Sequence, residues 1–61
     1  MLKLVSAKIG EDVIVIKESS SIYDRVCQIW KLKKRSDGTV RVSVSDDGEI
    51  YNFGLEDLVL A

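Results

Sequence analysis

Residues 40–44, VRVSV, alternate apolar and polar side chains without a break, the period-two pattern of a strand with one buried face. The SDDGE that follows contains Asp47-Gly48, a dipeptide suited to the positive backbone angles of a tight hairpin turn. IYNF at residues 50–53 then supplies a returning strand, and GLEDL at 54–58 has room for a single helical turn. Upstream, VIVI at residues 13–16 is β-branched throughout, which fits a strand central in a sheet or covered on both faces. MLKLVSAK at residues 1–8 reads as a first strand, IGED at 9–12 as a turn, and KESSS at 17–21 as a polar loop.

The stretch IYDRVCQIWKL, residues 22–32, admits two readings. Ile22, Val26, Ile29 and Leu32 recur at helical spacing, whereas Ile22, Tyr23, Val26, Ile29 and Trp30 are residue types that prefer strands. Ser36-Asp37-Gly38 joins the stretch directly to VRVSV, a two-strand signal, so the strand is the preferred reading. Strands are therefore expected near residues 2–8, 12–17, 22–33, 39–45 and 49–54, with a turn at 55–57 and a short closing strand. Leu4, Ile9, Val13, Val15, Val26, Ile29, Val40, Val42, Val44, Ile50, Phe53 and Leu58 are the expected core. Short strands with tight turns predict an all-β fold, a small closed or partly closed five-stranded barrel with one short helical turn near the C-terminus.

Composition narrows the class. Sixty-one residues suit one small domain spanning 1–61, and a chain of that length buries only ~60% of its unfolded surface. A hydrophobic content of 46% and a mean hydropathy of +0.06 favour a globule over a disordered tail. No apolar run approaches the ~20 residues of a membrane-spanning helix, and the N-terminus lacks the features of a secretory signal. Cys27 is the lone cysteine, so no disulfide forms within the chain, which suits a reducing cytoplasm. Without histidine, that thiol has no imidazole to activate it, and zinc ligands are lacking. Asp46, Asp47 and Glu49 are explained by turn chemistry, since the rest of a calcium loop is missing. With no triad, carboxylate cleft or phosphate loop, a non-enzyme without cofactor or metal is expected.

The order of features resembles the Tudor and related SH3-like barrel domains over about residues 9–58. IGEDVIVI is similar to their opening turn and apolar strand, IYDRVCQI to an aromatic-led strand, and VRVSVSDDGEIYNFGLEDL to the closing hairpin and turn. The resemblance implies a Tudor-type SH3-like barrel and, for some members, capture of methylated lysine or arginine in an aromatic cage. The cage positions fall at Tyr23, Lys17, Val44 and Asp47, one aromatic among four, so no cage is expected. MLKL…IGE together with VRVSV…EIYNF…ED is also similar to the carbon storage regulator family, dimeric β proteins that bind GGA-bearing mRNA leaders. That family's Ala-Pro is replaced here by Asp46-Asp47, and Gly54 and Leu55 stand where its RNA-contacting Arg would be.

The net charge of −1 balances nine basic against ten acidic residues, yet their distribution is uneven. Lys31, Lys33, Lys34 and Arg35 crowd a hairpin tip, with Arg41 adjacent across the ladder. Such a tip either anchors an acidic surface or phosphates, or is a solvated turn that guards the hairpin against edge pairing. Asp46, Asp47 and Glu49 should occupy the opposite end of the sheet. Most aromatics are expected inside, with Ile50 inward and Tyr51 the outward exception. The expected function is a non-catalytic adaptor or regulator that binds another protein through barrel loops or a sheet edge. Its partner-binding residues would be Lys31, Lys33, Lys34, Arg35, Arg41, Tyr23 and Tyr51. The alternative is a small RNA-binding regulator. The first would suit a monomer, the second a homodimer, and neither engages a membrane.

Overall fold

Two short turns set the register of the sheet. Asp47 and Gly48 both take positive φ, 51° and 84°, the conformation of a two-residue hairpin turn whose twist matches its strands. This turn pairs Asp46 with Glu49, Val44 with Tyr51 and Val42 with Phe53. At the other hairpin the Arg35 N–H donates to Thr39 C=O at 2.8 Å, and Gly38 closes the loop at φ 90°. The structure is a computed structural model that describes residues 1–61. Its strands are β1 (Asp12–Val15), β2 (Val26–Lys34), β3 (Val40–Asp46), β4 (Glu49–Gly54) and β5 (Leu58–Leu60).

All five strands join one antiparallel sheet in the order β4-β3-β2-β1-β5. The β-branched run thus forms β1, flanked by β2 and β5. β4 and β5 are the two edges, linked through a 3-10 turn at Leu55–Asp57 rather than by a ladder. The Asp57 carboxylate accepts the Gly54 N–H at 3.1 Å and so caps that turn. Val13, Val15, Cys27, Ile29, Val42, Val44, Phe53 and Leu58 fill the inner face, closed by Leu2, Ala7 and Ile22 from outside the strands.

The expected strand at residues 2–8 does not form. Both sides of β1, the strand next in sequence, are already occupied by β2 and β5, so this segment has no hairpin partner there. The Leu2 N–H donates to Leu55 C=O at 3.0 Å, and the chain folds into a 3-10 turn at Leu4–Ser6. Leu2 and Ala7 plug the core, while Leu4 and Ile9 point outward, against expectation. Residues 22–25 are also not strand. Asp24 at φ 65° shapes a turn in which its N–H donates to Val15 C=O, and only Ile22 of that group is buried.

Two further expected core residues face out, for reasons of parity. Cys27 and Ile29 point inward, so Val26 is exposed beside Ile14. Tyr51 and Phe53 face Val44 and Val42, so Tyr51 packs against the core and Ile50 is exposed, reversing the expected pair.

Candidate functional site

A bulge in β2 makes the outer face unusual. Ile29 pairs with Val44, but the next partners are Lys31 and Ser43, so Trp30 is inserted between them. Ile29 and Leu32 both contribute to the core side, which leaves Trp30 and Lys31 together on the outside. Trp30 is 56% exposed, a large apolar surface for a chain of this size.

Beyond the bulge, Lys33 stands opposite Arg41, and Lys31 opposite Ser43. Lys31 and Lys33 lie about 6.7 Å apart along one face of the strand. Asn52 lies across from Ser43 on β4, and Ser43 Oγ donates to Asn52 Oδ1 at 2.6 Å. Arg41 Nη2 reaches over β4 toward Asn52 C=O, at 3.4 Å. With Arg35 from the hairpin end and Ile50 from β4, these side chains line a shallow, open groove of about 450 Å3.

None of the groove's cations is neutralised by an ion pair. The chain's ion pair joins Arg25 Nε and Asp46 Oδ2 at 3.2 Å, at the other end of the sheet. At the tip, Asp37 accepts the Thr39 hydroxyl at 2.7 Å and the Thr39 N–H at 3.0 Å. The hydroxyl, then the N–H, then Arg35 more weakly, hold its carboxyl below the ordinary value, so Asp37 stays ionised and tempers the charge at the tip. The acidic turn Asp46–Glu49 caps the opposite end of the β3–β4 hairpin, so basic and acidic residues separate into two poles.

The expected binding residues divide accordingly. Lys31, Lys33, Arg35 and Arg41 converge on the groove. Lys34 does not: it pairs with Val40 and alternates to the other side of the strand. Tyr23 sits half exposed in the turn before β2, and Tyr51 packs on the core side, so neither joins the groove. Sequence reasoning missed Trp30, Ser43, Ile50 and Asn52. Three of these follow from the Asp47-Gly48 turn, whose register assigns each β3 and β4 residue to a face. Trp30 depends on the bulge, which no turn residue announces.

Cys27 is buried, and burial, then the nearby Asp46 carboxylate, raise its pKa despite the opposing Arg25. The thiol is therefore a poor nucleophile at neutral pH. No helix is long and apolar enough to cross a membrane. No protein-family model, curated protein or solved structure matches the chain.

Proposed function

We propose that the chain is a non-catalytic binding module, an SH3-like barrel of Tudor type that recognises an acidic partner protein on its outer β2–β3–β4 face. One observation carries this reading: four cations without ion-pair partners surround an exposed tryptophan on a single concave surface. The strand order β4-β3-β2-β1-β5, with a one-turn 3-10 element before the last strand, supports the barrel type. An unactivated, buried thiol and a chain without histidine support a binding role over a catalytic one, needing no cofactor, in a reducing compartment such as the cytoplasm.

Basic side chains around an aromatic anchor suit recognition, since the cations steer the encounter and the apolar surface slows release. Trp30 and Ile50 offer the anchor, and Lys31, Lys33, Arg35 and Arg41 the field. A second reading, RNA binding, is favoured by Trp30 itself, because an exposed ring among cations is also a base-stacking platform.

Trp30 is the single tryptophan, so its fluorescence reports on the groove alone. Titration with polyglutamate should perturb that signal, weaken as salt rises, and be lost on joint Lys31→Glu and Lys33→Glu reversal. Equal response of the reversed variant, or tighter binding of oligouridylate than of polyglutamate, would remove the acidic-protein reading. Light scattering on the free protein should show a monomer, whereas a dimer gaining oligouridylate affinity would favour the RNA regulator.

A further inference from the structure

The two edges of the sheet are not equally protected. Native edges are blunted by shortness, proline, lysine or a bulge, because an unpaired ladder invites another strand. β5 is short, with three residues. β4 runs for six residues, EIYNFG, with no lysine, no proline and no register shift against β3.

Backbone direction along β4 follows from the turn. A two-residue hairpin makes its flanking pair, Asp46 and Glu49, exchange backbone hydrogen bonds, and bonded pairs then alternate. Val44–Tyr51 and Val42–Phe53 are therefore bonded as well. Ile50 and Asn52 fall between them, so their N–H and C=O groups point away from β3, out of the sheet. The next such residue, Gly54, already has its N–H committed to Asp57. Ile50 and Asn52 thus present two donors in a row at the rim of the basic groove, with the Ile50 carbonyl as a free acceptor and the Asn52 carbonyl as one shared with Arg41 Nη2 at 3.4 Å.

We propose that the β4 edge takes up an extended, acidic segment of the partner protein as a sixth strand. The proposal rests on the basic outer face being the binding surface, and it specifies how the ligand lies there. Residues of the added strand that bond to Ile50 and Asn52 share their outer face. Arg41, whose guanidinium already reaches across β4 to the Asn52 carbonyl, meets carboxylates at those positions. Lys31 and Lys33, further in on β2, add to the potential. The intervening residues of the segment fall on the inner side, beside half-buried Tyr51, and apolar side chains fit there. The ligand is thus a stretch that alternates acidic and apolar residues.

The test uses the full chain, Trp30 fluorescence, and a synthetic peptide alternating Glu and Val. A second peptide carries N-methyl groups on the Glu amides, which preserves its charge and removes the donors that β4 would meet. The unmodified peptide should bind roughly tenfold more tightly, the worth of two backbone hydrogen bonds at ~1 kcal/mol or less each. Ile50→Pro, which removes an N–H that the β3 ladder does not use, should weaken the unmodified peptide similarly, while Ile50→Val should not. Equal, salt-dependent binding of both peptides would discard strand addition and leave the basic surface standing. Binding of neither peptide, together with loss of the polyglutamate response, would remove both. A dimer in light scattering that dissociates on Ile50→Pro would give the edge to a second copy and overturn the proposal.

Discussion

Leu2 and Leu4 make the sharpest test of the N-terminal segment, because a strand and the observed turn assign them opposite fates. Leu2 is 1% exposed in contact with the core, and Leu4 is 52% exposed on a 3-10 turn. A 61-residue chain is held by roughly 3–9 kcal/mol in total. Truncating a buried leucine costs about 2–5 kcal/mol, and the lower half applies here, since a segment anchored near a terminus relaxes more readily. Leu2→Ala therefore removes about a fifth or more of the folding free energy. At 4–8 °C per kcal/mol for a small domain, the melting temperature should fall by roughly 10–25 °C. Leu4→Ala should cost under about 1 kcal/mol and move it by only a few degrees. Far-UV circular dichroism is the better readout, because Trp30 is already largely exposed in the folded state. A larger loss for Leu4→Ala than for Leu2→Ala would mean that residues 2–8 pack as the strand their pattern suggests.

Other positions give further checks. Gly48→Ala forces a side chain into left-handed backbone and should cost about 1–2 kcal/mol, whereas Asp47→Gly, read by the same melts, should be neutral or slightly favourable. Cys27 should resist a thiol reagent in the native state near pH 8 and react fully in denaturant; rapid native labelling would show that the core is open at β2. Its raised folded-state pKa also means that folding favours the protonated thiol, so its contribution is intact below the ordinary value of 9.0 and declines as pH climbs above it. A pH melt compared with Cys27→Ala measures that decline, and a contribution that grows with alkalinity would reverse the sign of the argument. Trimethyl-lysine peptides should bind no better than unmodified ones, since Val44 is fully buried and Tyr23 is the lone aromatic at the cage positions; selective binding lost in Tyr23→Ala would restore the cage.

Strands, turns and most of the core were legible where local chemistry and long-range pairing agree. Asp47-Gly48 and Ser36-Asp37-Gly38 make turns that the backbone demands almost regardless of context, and the valines of β3 alternate as a half-buried strand must. The face of each β4 residue was in principle legible too. The Asp47-Gly48 turn alone pairs Val44 with Tyr51, which excludes Ile50 and Phe53 from sharing a face. Residues 1–8 were not legible, because MLKLVSAK alternates well enough for a strand, whereas β2 and β5 fill both sides of β1 and Leu2 is taken up by the core and the Leu55 carbonyl. Residues 22–32 misled in a different way. Their helical spacing reflects one buried turn residue, Ile22, followed by a strand whose phase shifts at a bulge.

That bulge links the fold to the site. With an unbroken ladder through β2, Ile29 inward would place Lys31 and Lys33 inward with it, and Leu32 outward. The extra residue at Trp30 reverses the phase, so Leu32 packs on the core and both lysines emerge on the outer face. The same insertion leaves the indole uncovered beside them. Deleting Trp30 would leave Ile29, Lys31, Leu32 and Lys33 in simple alternation, with the same partners on β3 and both lysines still outward. Such a deletion removes the bulge and the exposed indole, and leaves the phase of the strand as it is. With Trp30 in the chain, the bulge is thus what keeps both lysines outward and gathers the cations and the aromatic on a single surface. Trp30→Ala, which keeps the bulge, and deletion of Trp30, which removes it without changing the phase, should both weaken ligand binding, and Trp30→Ala should leave the melting temperature within a few degrees of the parent. If Trp30→Ala destabilised the fold as much as Leu2→Ala does, the indole would be a packing residue and the groove would lose its anchor.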